Sequence, residues 1–126
     1  MDRAEAGREL LERAYRIQVT AFGEGHSNAR MSARNLASVL HQLGQPALAV
    51  PFWERSLGAT PELEEHDHAA ANSVLEYADD LFETGQRGRA LAILGSMVAF
   101  AEAHPGFAPM AKRATAAIAA IEHAPP

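Results

Sequence analysis

His66, Asp67 and His68 follow Glu62, Glu64 and Glu65, and imidazoles beside carboxylates are the donor set of zinc and iron centres. Residues two apart on a helix point in different directions, so His66 and His68 do not converge on one ion. The competing reading is an acidic loop in which Asp67 caps the next helix. Asp79 and Asp80 are neighbouring carboxylates, but adjacent helical positions also diverge, which argues against a shared proton. A hydrolytic triad would need a nucleophile elbow, and neither a Gly-x-Ser-x-Gly stretch nor a strand to hold one is present. Phosphate-loop and dinucleotide-binding glycine patterns are missing as well. The 126 residues contain no cysteine, which removes disulfides, thiolate catalysis and cysteine-based zinc sites. The expectation is a chain that is not an enzyme and needs no cofactor or metal.

Recognition chemistry fits the residues better. Arg34, Ser38 and His41 are three or four apart and share one helix face, where the cations could read an acidic group or a terminal carboxylate. Asn72, Glu76, Asp79 and Glu83 share a second face that could attract a basic peptide. Pairing between the two faces, or simple solvation, would use the same charges. The net charge of −5 argues against nucleic acid, which requires a basic face to displace counterions. Near the start, Arg8, Arg13 and Arg16 alternate with Glu5, Glu9 and Glu12, as on a solvated helix.

The elements that must position these residues all read as helices, at about 2–22, 28–43, 46–57, 67–84, 87–104 and 108–122. The first carries Leu10, Leu11, Ala14, Tyr15, Ile17, Val19 and Phe22 and stops at Gly23 and Gly25. Ser27 or Asn28 is the expected cap of the second. Pro46 suits the first turn of the third, and Pro51 sits early enough to bend it without breaking it. Trp53, the only tryptophan, is expected in the core. No run alternates like a strand. Alanine is abundant and aromatics are only 6%, a bias that favours close helix-on-helix packing. No apolar run approaches the roughly 20 residues of a membrane span. The charged start, MDRAEAGREL, lacks a signal-peptide core, so a cytoplasmic location is expected. Ten arginines against the lone Lys112 suggest a bacterial source.

An internal repeat organises the middle of the chain. Anchored on Gly44 and Gly85, Ala37 aligns with Ala78, Leu40 with Leu81, Gln45 with Gln86 and Ala49 with Ala90, while Leu48 falls on Arg89. The offset is 85 − 44 = 41 residues. Each match has a reason: the alanines permit close approach, the leucines fill the hairpin, and the glycines supply a left-handed turn.

This small–leucine–glycine–alanine spacing resembles the tetratricopeptide repeat, whose ordinary period is about 34 residues. Phe22-Gly23-Glu24-Gly25-His26 followed by Asn35-Leu36-Ala37 is similar to the linker and first helix of the longer repeats found in kinesin light chain and in bacterial signalling proteins. The likeness spans Tyr15 to Phe100. Glu76 stands where the first unit has Asn35, and Leu94 and Met97 replace the family's aromatic and alanine. The resemblance implies a single all-α domain over 1–126, a right-handed superhelical stack of antiparallel hairpins. It implies a concave groove lined by Met31, Arg34, Asn35, Ser38, His41 and Gln42 from one hairpin. The next hairpin would add Asn72, Leu75, Glu76, Asp79, Phe82 and Glu83. The implied ligand is a peptide or helix of another protein, with Asn35 clamping its backbone. Neither nucleic acid nor membrane is an expected partner. The rival expectation is a structural protein that assembles through its end helices, for example as a homodimer.

Overall fold

The computed structural model describes residues 3–58, 61–64 and 67–125. These form six α-helices: α1 (Arg3–Phe22), α2 (Ser27–Gln42), α3 (Pro46–Leu57), α4 (His68–Glu83), α5 (Arg87–Ala103) and α6 (Ala108–Glu122). A 3₁₀ turn, Pro105–Phe107, precedes the last helix, and no strand occurs among the described residues. The chain divides into two compact units, residues 1–59 and 60–126.

In the first unit α2 packs against both α1 and α3. Ala29, Ala33 and Ala37, four residues apart on α2, are fully buried and let its neighbours approach closely. Leu36 and Leu40 fill the space beside them, and α3 contributes Ala49, Val50 and Trp53. Trp53 is fully buried, as expected for core. Helix α3 runs unbroken through Pro51. Across the unit the ring of Tyr15 meets that of Phe52 edge-on at 5.4 Å, and the Arg55 guanidinium lies 5.0 Å from the Phe52 centroid. Arg30 donates two hydrogen bonds, at 2.8 and 3.1 Å, to the carbonyl oxygen of Ser56, fastening the start of α2 to the end of α3. On α1, Arg8 bridges Glu5 and Glu12 at 2.9 and 2.7 Å, and the hydrogen bonds to these carboxylates raise its pKa above the ordinary arginine value.

The cap of α2 is neither Ser27 nor Asn28. His26 occupies the position, and its Nδ1 accepts the amide of Asn28 at 3.1 Å. The imidazole also stacks on Phe22 at 4.6 Å, which holds the ring nitrogen over the helix end. A short polar side chain has no such second hold, so the propensity for serine and asparagine is overridden.

The second unit repeats the hairpin and adds a third helix. Helix α4 packs on α5, and α6 returns across α5 to reach α4. Ala114 and Ile121 are the residues α6 buries. Its attachment is polar as well: Arg113 donates to Asn72 Oδ1 at 2.9 Å, and Arg87 donates to the Glu122 carbonyl at 3.4 Å. The corner before α6 is aromatic. His68 stacks on Phe107 at 4.1 Å and Phe100 stacks on His104 at 4.1 Å, while Phe100 and Phe107 meet edge-on at 5.0 Å.

The 41-residue offset holds in the backbone. The N-caps are His26 and Asp67, the first helices end at Gln42 and Glu83, and the second helices start at Pro46 and Arg87. Gly44 and Gly85 both adopt positive φ, at 71° and 84°. At each, the glycine amide bonds a carbonyl three residues back (His41, Phe82), and the following glutamine amide reaches five back (Leu40, Leu81). This pair of bonds is the Schellman turn, which satisfies carbonyls that a helix end otherwise leaves open. Each glutamine then accepts the first amide bond of the next helix, from Ala49 or Ala90.

Candidate functional site

On α2 the six residues expected to line a groove stay outside the core. Met31, Asn35 and Gln42 are exposed, and Arg34, Ser38 and His41 are half-buried. They alternate with Ala29, Ala33, Leu36, Ala37 and Leu40, none of which is more than 2% exposed. Helix geometry produces this split. The buried set faces α1 and α3, which leaves a third side for residues 31, 34, 35, 38, 41 and 42. The side holds a cation, two amides, a hydroxyl and an imidazole, with the thioether of Met31 at one end. That inventory both donates and accepts hydrogen bonds.

On α4 the corresponding six divide differently. Asp79 and Glu83 are exposed, and Glu76 and Phe82 are half-buried. Leu75 is 8% exposed and belongs to the core. The Asn72 side chain accepts the hydrogen bond from Arg113 of α6, so its carbonyl oxygen already has a partner. The glycine-anchored alignment did not foretell this, since α6 has no third glycine to extend it.

The acidic loop gives no metal centre that can be described. His66 lies outside the described residues. Asp67 caps α4, its Oδ1 accepting the Ala70 amide at 2.8 Å. His68 is stacked on Phe107, with Nε2 3.3 Å from the Gly106 carbonyl oxygen. Asp79 is exposed and Asp80 is 2% exposed, yet a carboxylate oxygen of one lies within 4.8 Å of a carboxylate oxygen of the other, so the divergence expected of adjacent helical residues is not complete.

Sequence periodicity misplaced part of α1. Leu10, Ile17 and Phe22 belong to its apolar set, yet they are 64%, 63% and 53% exposed. Angular position carries the signal. At about 100° per residue, Leu10 and Ile17 differ by about 20°, whereas Tyr15, which is buried, lies about 140° from Leu10.

The two hairpins, equal in register and closed by the same turn, define a helical-repeat protein that presents helix faces. Residues 1–62, just under half of the chain, match the family model described as tetratricopeptide repeat, which supports a tetratricopeptide repeat family. That match takes in α1, α2 and α3, and the same hairpin geometry continues in α4 and α5. No curated protein and no solved structure matches the chain. No helix among the described residues is long and apolar enough to cross a membrane.

Proposed function

We propose that this chain is a protein-interaction module of the tetratricopeptide type, with the long repeat similar to that of kinesin light chain, and that its α2 face holds an extended peptide or a helix of a partner protein. The observation that carries the reading is the α2 split: five core residues at most 2% exposed, interleaved with six that stay outside the core. Asn35 is exposed at the middle of that face, and its amide can donate to and accept from a peptide backbone. Arg34 beside it suits a carboxylate. On α4, Glu76, Asp79 and Glu83, with Phe82 among them, form a second, acidic face suited to basic side chains. The acidic net charge favours protein over nucleic acid as the partner. The chain acts without catalysis, and the cytoplasm is its proposed location.

The test is selection of peptides from a random display library on the full chain, followed by amide-shift mapping of the tightest binder. Shifts should cluster over residues 31–42, and Asn35→Ala should weaken binding by about tenfold, the equivalent of one or two lost hydrogen bonds. Glu102→Ala, at an exposed position of α5, should leave affinity unchanged. Shifts confined to α1 or α6, or full affinity in Asn35→Ala, would overturn the reading.

A further inference from the structure

Helix α1 packs on α2, and its opposite face carries Arg3, Ala6, Leu10, Arg13, Ile17 and Ala21, all exposed. Leu10 and Ile17 are the two most exposed large hydrophobic residues described. They lie in one stripe two turns apart. An open hollow lined by Arg13, Arg16, Ile17, Thr20 and Ala21 lies beside Ile17 on the same face. Single exposed apolar residues need no explanation, but an aligned pair beside a hollow is the form of a seat for another helix.

The stripe is complementary to itself. About the midpoint between residues 13 and 14, antiparallel pairing joins residues whose numbers sum to 27. Leu10 then meets Ile17 of a second copy and enters the hollow beside it, and Ala6 meets Ala21. Arg3 meets Glu24 in the turn that follows α1. A two-fold axis perpendicular to both helices keeps each flank on its own side. Glu9 therefore faces Arg16 of the second copy, displaced by two residues, or about 3 Å along the axis. The symmetry makes this contact twice. Arg13 stands closest to the axis, one residue out of register with Arg13 of the second copy, so the two guanidinium groups must extend to the rim, away from each other and towards Glu9 of the opposite copy about five residues along.

We infer that α1 is a homodimer interface, pairing antiparallel with α1 of a second copy across a two-fold axis through residues 13 and 14. A partner of different sequence would have to reproduce a pattern that this helix already matches in reverse. The interface is separate from the α2 face, so either can fail without the other.

Sedimentation of the full chain over a concentration series tests it, with circular dichroism to verify folding of each variant. The wild type should reach twice the 13.5 kDa chain mass. Ile17→Glu should be monomeric throughout. Glu9→Arg and Arg16→Glu should each weaken the dimer by about tenfold, and the two reversals combined should restore it, since the pair is only exchanged. A second measurement uses the absence of native cysteine: Arg13→Cys should oxidise to a dimer linked across the axis, and Glu102→Cys on α5 should not. A chain that stays monomeric up to about 1 mM, beyond which association is weaker than specific complexes reach, overturns the inference. So does a dimer unaffected by Ile17→Glu, which would place the interface elsewhere. Charge reversals that add instead of compensating would show that α1 faces a different surface, and would also overturn it.

Discussion

The Arg89 guanidinium donates a 2.7 Å hydrogen bond to the Tyr77 hydroxyl, tying α5 to a fully buried ring on α4. One repeat earlier the same two positions are Leu36, fully buried, and Leu48, 56% exposed. The two substitutions make chemical sense only together. A tyrosine at the buried site brings a hydroxyl that must be satisfied, and the arginine at the half-buried site supplies the donor. Arg89 is itself steadied by donating to Gln86 Oε1.

If the pair works as a unit, Tyr77→Phe should cost about 1 kcal/mol, the net worth of a partly screened hydrogen bond to a charged donor. Arg89→Leu should cost a similar amount. Combining them should cost less than the sum of the two, with a coupling of about 1 kcal/mol. Chemical denaturation followed by circular dichroism gives all three values. Strict additivity would mean that the bond contributes nothing to stability.

Glycine substitutions should change sign with backbone conformation. A Cβ at Gly44, Gly85 or Gly95 would meet no atom within 4 Å, so sterics with neighbours are equal at all three. Gly44→Ala and Gly85→Ala force a side chain into the left-handed region and should each cost about 1–2 kcal/mol. Gly95 lies exposed inside α5, and Gly95→Ala should stabilise by about 0.5–1 kcal/mol. Thermal unfolding of the three variants decides the point, and a stabilising alanine at Gly44 would contradict the Schellman assignment.

Tyr15 presents a different case. Its hydroxyl is buried with no hydrogen-bond partner among the described residues, while its ring is held against Phe52. Removing the oxygen relieves an uncompensated desolvation and keeps the ring contact. Tyr15→Phe should therefore stabilise the fold by about 1 kcal/mol, and Tyr15→Ala should destabilise it by about 3 kcal/mol or more. A loss of stability in the phenylalanine variant would show that the hydroxyl has a partner after all.

Features fixed by local bonds were legible in the sequence. Gly44 and Gly85 announce a turn because only glycine adopts that backbone cheaply, and the alanines and leucines at set distances from them follow from helix pitch. Asp67 announced its cap for the same reason. Features that depend on which side a helix turns to its neighbour were less readable. Leu10 and Ile17 look like core when apolar residues are pooled along α1, and only their angle from Tyr15 separates them. The engagement of Asn72 by Arg113 depends on how α6 packs back on α4, which an alignment anchored on Gly44 and Gly85 does not supply. The His26 cap rests on an aromatic stack that reinforces an unfavoured residue type.

The turn inside each hairpin also restricts how such a chain can change length. Three residues, 43–45 and 84–86, separate the paired helices, and each glycine and glutamine among them makes a specific backbone bond. One inserted residue there would rotate the following helix by about 100°, carrying Trp53 out of its buried site and Phe52 into its place. The joins between α1 and α2 (residues 23–26) and between α3 and α4 (58–67) already differ, at four and ten residues. Insertions and deletions tolerated by natural variation should fall in those joins and spare the hairpins.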